Sequence, residues 1–241
     1  MEDDLKNQCL KAIYTFYDDF VVGIPTACGP GCSTCCTVNV VATSLEGRYM
    51  LNSPAGERIT RLKQDLCNAA DTTIYRPAST TNQIALACLD QSALPPDYSE
   101  HGDGKCVFLN SDGLCTVYEY RPFACRAMSS RDVCRLGGEA GMDPFLVSLN
   151  LALYQVIEHL DHGGSSGNLI DVLVDLMGPT GQDRRKTEKQ LTVLNMPLPG
   201  FLMESEYSGR FRAFIRRLGR FKVGASSLGE ILREPFEMAS G

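Results

Sequence analysis

The sequence predicts a mainly α protein: a helical domain with one small β-hairpin and cysteine-rich loops. Three observations lead to that prediction. Apolar residues recur at helical spacing in several segments. Two short β-prone runs flank the turn Asn110-Ser111-Asp112-Gly113. Four cysteines fall between Cys28 and Cys36, in a stretch broken by glycine and proline.

In residues 3 to 22, Leu5, Cys9, Ala12, Ile13, Phe16, Tyr17 and Phe20 share one side of a helix, and Gly23 and Pro25 end it. Cys9 lies on this apolar stripe and is expected to be a buried thiol. Ser44 is placed to cap a short helix. A further helix is expected from Pro54, in its first turn, to about Ala70, burying Ile59, Leu62, Leu66 and Ala69. Residues 72 to 104 read as a long connection with one short helix over Ile84 to Leu89. Residues 106–109 and 114–118 are the arms of the hairpin. Arg121-Pro122 breaks its second arm, and Pro122 opens a helical turn carrying Phe123 to Arg126. Asp143-Pro144 starts a helix running to about His162, apolar on most sides and so expected at the centre of the core. Asn168 caps a short helix that Gly178-Pro179 stops, and a basic amphipathic helix spans Ser208 to Leu218. These elements divide into an N-terminal helix packed on the core (1–27), a cysteine-cluster domain (28–135) and a C-terminal helical extension (136–241).

In a chain of 241 residues, 44% hydrophobic and 22% charged residues are ordinary, whereas 11 cysteines are not. The sequence begins acidic and polar, unlike a secretory signal. The longest apolar stretch, Phe145 to Leu160, is interrupted by Ser148, Asn150, Gln155, Glu158 and His159, so no membrane span is expected. A soluble, cytoplasmic protein follows, in which clustered cysteines serve as metal ligands or redox groups and not as disulfides. Net charge is −6, yet residues 182 to 223 hold ten Lys and Arg against four Asp and Glu. The remaining acidic body makes nucleic acid an unexpected partner for the whole chain.

Cys28-Gly-Pro-Gly-Cys32-Ser-Thr-Cys35-Cys36 has a turn at Pro30-Gly31 that doubles the chain back. One helical turn from Cys32 would put Cys32, Cys35 and Cys36 on one face. Cys-x2-Cys is also the common spacing of a metal knuckle, so metal ligation is expected here, with a redox or buried thiol group as the alternative. Cys106, Cys115 and Cys125 are spaced more widely. The hairpin would bring Cys106 and Cys115 together and the Pro122 turn would return Cys125. Read alone, these are equally well three small core residues.

Taken together, the two clusters resemble the CxxCxxCC (YkgJ-like) family of zinc- or iron-chelating domains. In that family an N-terminal cysteine motif is paired with a downstream segment of the form C-x-F-L…G-x-C-x-[IV]-Y-E-x-R-P-x-x-C-R. Here the second part stands as Cys106-Val-Phe-Leu and Gly113-Leu-Cys115-Thr-Val-Tyr-Glu-Tyr-Arg-Pro-Phe-Ala-Cys125-Arg. Cys32, Cys35 and Cys36 map directly, while Cys28 is separated from Cys32 by three residues where the family has two. The resemblance covers about residues 28 to 126. It implies a metal centre of zinc or iron, an iron–sulfur cluster included, with ligands among Cys28, Cys32, Cys35, Cys36, Cys106, Cys115 and Cys125, and no particular reaction. Four thiolates fill a tetrahedral site, so seven leave a polynuclear centre or spare thiols open. Arg121, Arg126, Arg131 and Arg135 are placed to offset thiolate charge by hydrogen bonds to sulfur, with an ion pair as the alternative for Arg121.

A second function class comes from the flagellin lysine N-methylases, which contain a similar cysteine motif and would imply a metal-dependent protein-modifying enzyme. No glycine-rich cofactor loop, Walker motif or catalytic triad accompanies it. His159 and His162 stand one turn apart but near a helix C-terminus, where the dipole favours histidine. Gly137-Gly138 reads as loop. Residues 208–222 set Phe211, Phe214, Ile215, Leu218 and Phe221 against six basic residues, which reads as a docked amphipathic helix with a route to an unknown protein partner.

Overall fold

Ten α-helices form among the residues described by the computed structural model, 1–135, 138–178, 191–233 and 236. They are α1 (Asp3–Val21), α2 (Ser44–Leu51), α3 (Gly56–Arg61), α4 (Lys63–Ala70), α5 (Thr81–Asp90), α6 (Phe123–Ala127), α7 (Pro144–Leu160), α8 (Leu169–Leu176), α9 (Ser208–Gly219) and α10 (Leu228–Leu232). The chain is mainly α, as its periodicities predict, with small antiparallel sheet structure. Gly137, Pro179 and the charged run 183–190 lie outside the described residues.

Helix α7 occupies the centre of the larger apolar cluster because three sides of it are apolar. Leu149, Ala152, Leu153 and Val156 are fully buried there against Leu10 and Ile13 of α1 and Phe214, Ile215 and Leu218 of α9. Its start follows the sequence signal, with the Asp143 side chain accepting from the Phe145 and Leu146 amides and Pro144 in the first turn. A second apolar cluster joins Met50, Ile59 and Leu66 to Leu169, Ile170 and Leu173 of α8 and to Phe108 and Val117. Cys106 and Cys115 pack, half-buried, against this cluster.

Several local expectations are revised. The helix expected over Pro54 to Ala70 is two helices, α3 and α4, separated where Leu62 leaves helical geometry at ψ 10°. It begins after Pro54 because the chain crosses itself at Gly56, where a Cβ would stand 1.9 Å from the Leu51 carbonyl oxygen. The short helix α2 is capped by Thr43, not Ser44. Thr43 forms a capping box with Glu46, and Ser44 Oγ donates to Asp161 instead.

A three-stranded antiparallel sheet that no β-prone run announced joins β1 (Val41–Thr43), β2 (Ser165–Asn168) and β3 (Thr192–Leu194), with β2 in the centre. The Ser-Ser-Gly-Asn sequence of β2 is held there by side chains. Asn168 Nδ2 donates to the Val38 and Tyr75 carbonyls, and Ser166 Oγ donates to Asn195. A second pair, β4 (Lys222–Val223) with β5 (Ser226–Ser227), follows α9.

The run 106–118 reverses at Asn110–Gly113 as expected, with Gly113 at φ 73°. Its arms are too short to form strands: one bridge, Leu109 with Cys115, and the backbone bonds Asn110 N to Leu114 O and Thr116 N to Phe108 O join them. The reason is competition. The Cys106 amide, which a longer hairpin would use internally, bonds instead to the Cys36 carbonyl of the first cysteine loop, next to the bond from Val38 N to Gly104 O.

Two buried carboxylates tie these pieces together. Asp161, at the end of α7, accepts from Ser44 Oγ, the Leu45 amide and Asn195 Nδ2 and pairs with Arg48 at 2.8 Å. Glu46, on α2, accepts from the Tyr14 hydroxyl (2.7 Å) on α1, from the amide and hydroxyl of Thr43 (2.8 and 3.1 Å), and from the Phe123 amide (2.7 Å) at the start of α6. Burial pushes the Glu46 carboxyl upward, against the pull of these four donors. No described helix is long and apolar enough to cross a membrane.

Glu46→Gln keeps the volume but turns an amide N–H₂ toward donors that need an acceptor. We expect a loss of about 2–3 kcal/mol in urea denaturation together with reduced hydrogen-exchange protection at Phe123; unchanged stability would refute the anchoring role. Asp161→Ala should cost about 2–4 kcal/mol by the same measurement, because it leaves the Asn195 amide, the Ser44 hydroxyl and the Leu45 amide without their shared acceptor.

Candidate metal centre

The first cysteine loop begins where α1 ends. Its Thr26 hydroxyl and Ala27 amide both donate to the Ser130 carbonyl, and the Cys28 amide donates to Thr26 Oγ1. The segment that the cysteine spacing would allow as a helical turn is instead two consecutive turns, Cys32 N to Gly29 O and Cys36 N to Ser33 O. Gly31 takes φ 83° in the first, a left-handed conformation that glycine adopts without strain.

Asn39 fixes the far end of the loop. Its Oδ1 accepts from the Tyr75 and Gly102 amides and its Nδ2 donates to the Gly102 carbonyl. These bonds clamp residues 36–39 against 102–106, so that Thr37 bridges Lys105 and the Cys106 amide reaches the Cys36 carbonyl. Gly102 is required by this crossing, since a Cβ there would meet the Thr73 carbonyl oxygen at 1.8 Å. Gly113, at the tip of the second cysteine segment, lies against Gly31 and Ser33, on either side of Cys32.

Cys125 arrives by a third route. Helix α6 starts at Phe123, whose amide is held by Glu46 and whose fully buried ring stacks edge-on with Tyr17 (5.0 Å) and Tyr154 (4.9 Å). With residue 123 immobilised on both backbone and side chain, the half-buried Cys125 is carried to the same place as Cys36, Cys106 and Cys115.

Five thiols thus share one electrostatic neighbourhood, Cys35, Cys36, Cys106, Cys115 and Cys125. Cys35 donates its S–H to the Cys36 sulfur, which raises Cys35 well above the usual thiol range and lowers Cys36. Burial pushes Cys106 up to about 11 and also raises Cys115. Cys125 is raised by burial first and by the facing Cys106 and Cys115 second, with Arg121 opposing. Thiols ligate a metal as thiolates, so a bound cation would displace their protons. The donor chemistry therefore suits zinc or iron. In their present rotamers no three Cys, His, Asp or Glu side chains among the described residues stand around a common point as a ready metal site.

Cys28 and Cys32 lie on the same loop, half-buried and exposed respectively, and are joined to the cluster through backbone contacts at Ser130 and Gly113. The remaining cysteines are elsewhere. Cys9 is buried in α1, Cys67 is half-buried on α4, Cys88 is exposed on α5, and Cys134 reaches only the Asp132 carbonyl at 4.0 Å.

The arginines divide differently from the expectation of bonds to sulfur. Arg121 lies over the Tyr118 ring at 3.7 Å and donates to its carbonyl, from where its charge lowers the Cys115 and Cys125 thiols. Arg126 turns away. It pairs with Asp18 of α1, covers the Tyr14 ring at 4.2 Å and donates to the Glu119 and Arg121 carbonyls. The ion pair considered for Arg121 belongs to its neighbour. His159 Nδ1 accepts from the Leu198 amide at 3.2 Å, a structural bond.

Three positioning residues, Asn39, Glu46 and Tyr154, escape sequence reasoning. Only Glu46 carries a signal, Thr43-x-x-Glu46, the spacing of a capping box.

No curated protein and no solved structure matches the chain. Residues 27–140 match the family model CxxCxxCC, "Putative zinc- or iron-chelating domain", and this matched segment holds all seven of the predicted ligands.

Proposed function

We propose that the protein binds zinc or iron, an iron–sulfur cluster included, through thiolates drawn from Cys35, Cys36, Cys106, Cys115 and Cys125, with Cys28 and Cys32 able to complete the set. The observation that carries this reading is the convergence of these five thiols from three separate segments onto one neighbourhood. Packing apolar side chains would not require it. Leucine or valine would fill the half-buried positions of Cys36, Cys106, Cys115 and Cys125 without the penalty of neighbouring ionisable sulfurs, so a shared cation is the economical account.

Within this reading each part of the chain has a task. The Cys32–Cys36 turns and the Asn110–Gly113 turn, in contact at Gly113, carry thiols from two segments. Asn39 holds the two segments in register, and Glu46 fixes the start of the helix that delivers Cys125. Arg121 supplies nearby positive charge for a thiolate set that would otherwise carry net negative charge. Bound zinc supplies a redox-inert cross-link between the segments, and iron adds electron transfer. A reducing compartment keeps such thiols available as ligands, which supports the reading of a cytoplasmic protein.

Metal analysis and visible spectroscopy on anaerobically purified full-length protein test the reading. We expect stoichiometric metal, colourless if zinc and brown if iron–sulfur. Cys36→Ser and Cys125→Ser should each weaken metal affinity by about tenfold or more and lower thermal stability with it, because ligand binding and folding of these loops are linked. Cys88→Ser, on the exposed face of α5, should leave both unchanged. Full metal occupancy in both of the first two variants would overturn the site.

A further inference from the structure

Helix α9 presents a second feature that the cysteine centre does not use. Its apolar stripe, Phe211, Phe214, Ile215 and Leu218, is buried in the larger core, with Phe214 meeting Phe16 at 5.3 Å and Phe20 at 4.9 Å. Outward it exposes Arg210, Arg212, Arg216, Arg217 and Arg220, followed by exposed Lys222. Among the described residues none of these six forms an ion pair, although Glu204 and Glu206 precede the helix and the chain as a whole carries an excess of acids. Arg210 covers the Phe145 ring at 3.8 Å and Arg217 lies over the Phe16 ring at 5.9 Å, yet both side chains stay exposed, as do Arg212, Arg216 and Arg220.

This arrangement works against the helix. Arg212, Arg216 and Arg220 repeat at i, i+4 and i+8, and like charges at that spacing repel. Arg210 sits in the first turn, where the helix dipole disfavours a cation and no acidic residue offsets it. A helix needing only a solvated face would alternate signs, as Glu57 and Arg61 do on α3. We propose that the exposed face of α9 is a docking surface for an acidic protein segment, one whose Asp or Glu carboxylates recur at helical spacing opposite the arginine row.

Charge complementarity selects this occupant over other anions. Five of the six cations are arginine, whose planar fork matches carboxylates bidentately. Every phenylalanine of the helix is turned inward, so no aromatic ring is offered for base stacking and no apolar face remains to enter a bilayer. The acidic remainder of the chain repels long polyanions and charged membranes, while a short acidic segment meets only the local patch.

The test uses full-length protein and fluorescence anisotropy of a labelled helical peptide bearing glutamates at i, i+4 spacing. A single-stranded oligonucleotide of equal charge and phosphatidylglycerol vesicles serve as the competing probes. The peptide should bind in a salt-sensitive manner, more tightly than either competitor. The variant Arg212→Gln/Arg216→Gln/Arg220→Gln should bind it at least about tenfold more weakly. Circular dichroism should keep its helical signal and the thermal midpoint should not fall, since relief of the arginine repulsion can only raise it, and Arg61→Gln, an exposed arginine on α3, should bind as wild type does. Absence of peptide binding, equal binding by the triple variant, or tighter binding of oligonucleotide or vesicles would each overturn the proposal. Metal content does not enter the readout, so the outcome is independent of the cysteine centre.

Discussion

The carboxylate of Glu46 is the constraint on which the arrangement of this protein depends. A buried charge survives only if its desolvation is offset by several donors held in place. Here the donors come from Tyr14 on α1, from Thr43 at the start of α2 and from Phe123 at the start of α6. Segments separated by 32 and 77 residues in sequence are thereby required to meet at one side chain. The Phe123 ring then seals the site between Tyr17 and Tyr154. Cys125 follows two residues later, so the third cysteine segment inherits its position from a bond that involves no sulfur.

The loops that carry the other cysteines have almost no regular structure, and their backbone groups are satisfied by a different device. Asn39, Asn110 and Asn168 each use a side-chain amide as a surrogate peptide group, and Asn39 and Asn168 bond to backbone of segments far away in sequence. This lets the cysteine loops pack against Phe108 and Val117 with few strand ladders. Gly102 and Gly56 stand where the backbone approaches too closely to permit a side chain.

Charge is handled differently at the two ends of the molecule. Around the thiols a single nearby guanidinium, Arg121, opposes the mutual repulsion of sulfurs, while Arg126 is spent on holding α1 through Asp18. At α9 the cations are left together and outward, and the apolar residues that would make the same helix membrane-active are consumed by the core. One sequence pattern, a basic amphipathic helix, therefore has a meaning that depends on which of its faces the fold leaves open.

By itself the sequence determined the helical class, the extents of α1, α7 and α9, the Asp143 and Asn168 caps and the cysteine cluster Cys28 to Cys36. Each of these rests on interactions between residues close in the chain: 3.6-residue periodicity, capping side chains and Cys-x2-Cys spacing. Only the tertiary structure decided that the 106–118 run gives up its strands to the first cysteine loop, that Ser-Ser-Gly-Asn becomes the central strand of a sheet, and that Arg126 and not Arg121 makes the ion pair. It also decided which thiols become neighbours, bringing Cys35 and Cys36 to Cys106, Cys115 and Cys125 through Asn39 and Glu46. The physical reason is that those outcomes are competitions for the same backbone donors and the same buried charge among segments tens of residues apart, and no local spacing records which competitor wins.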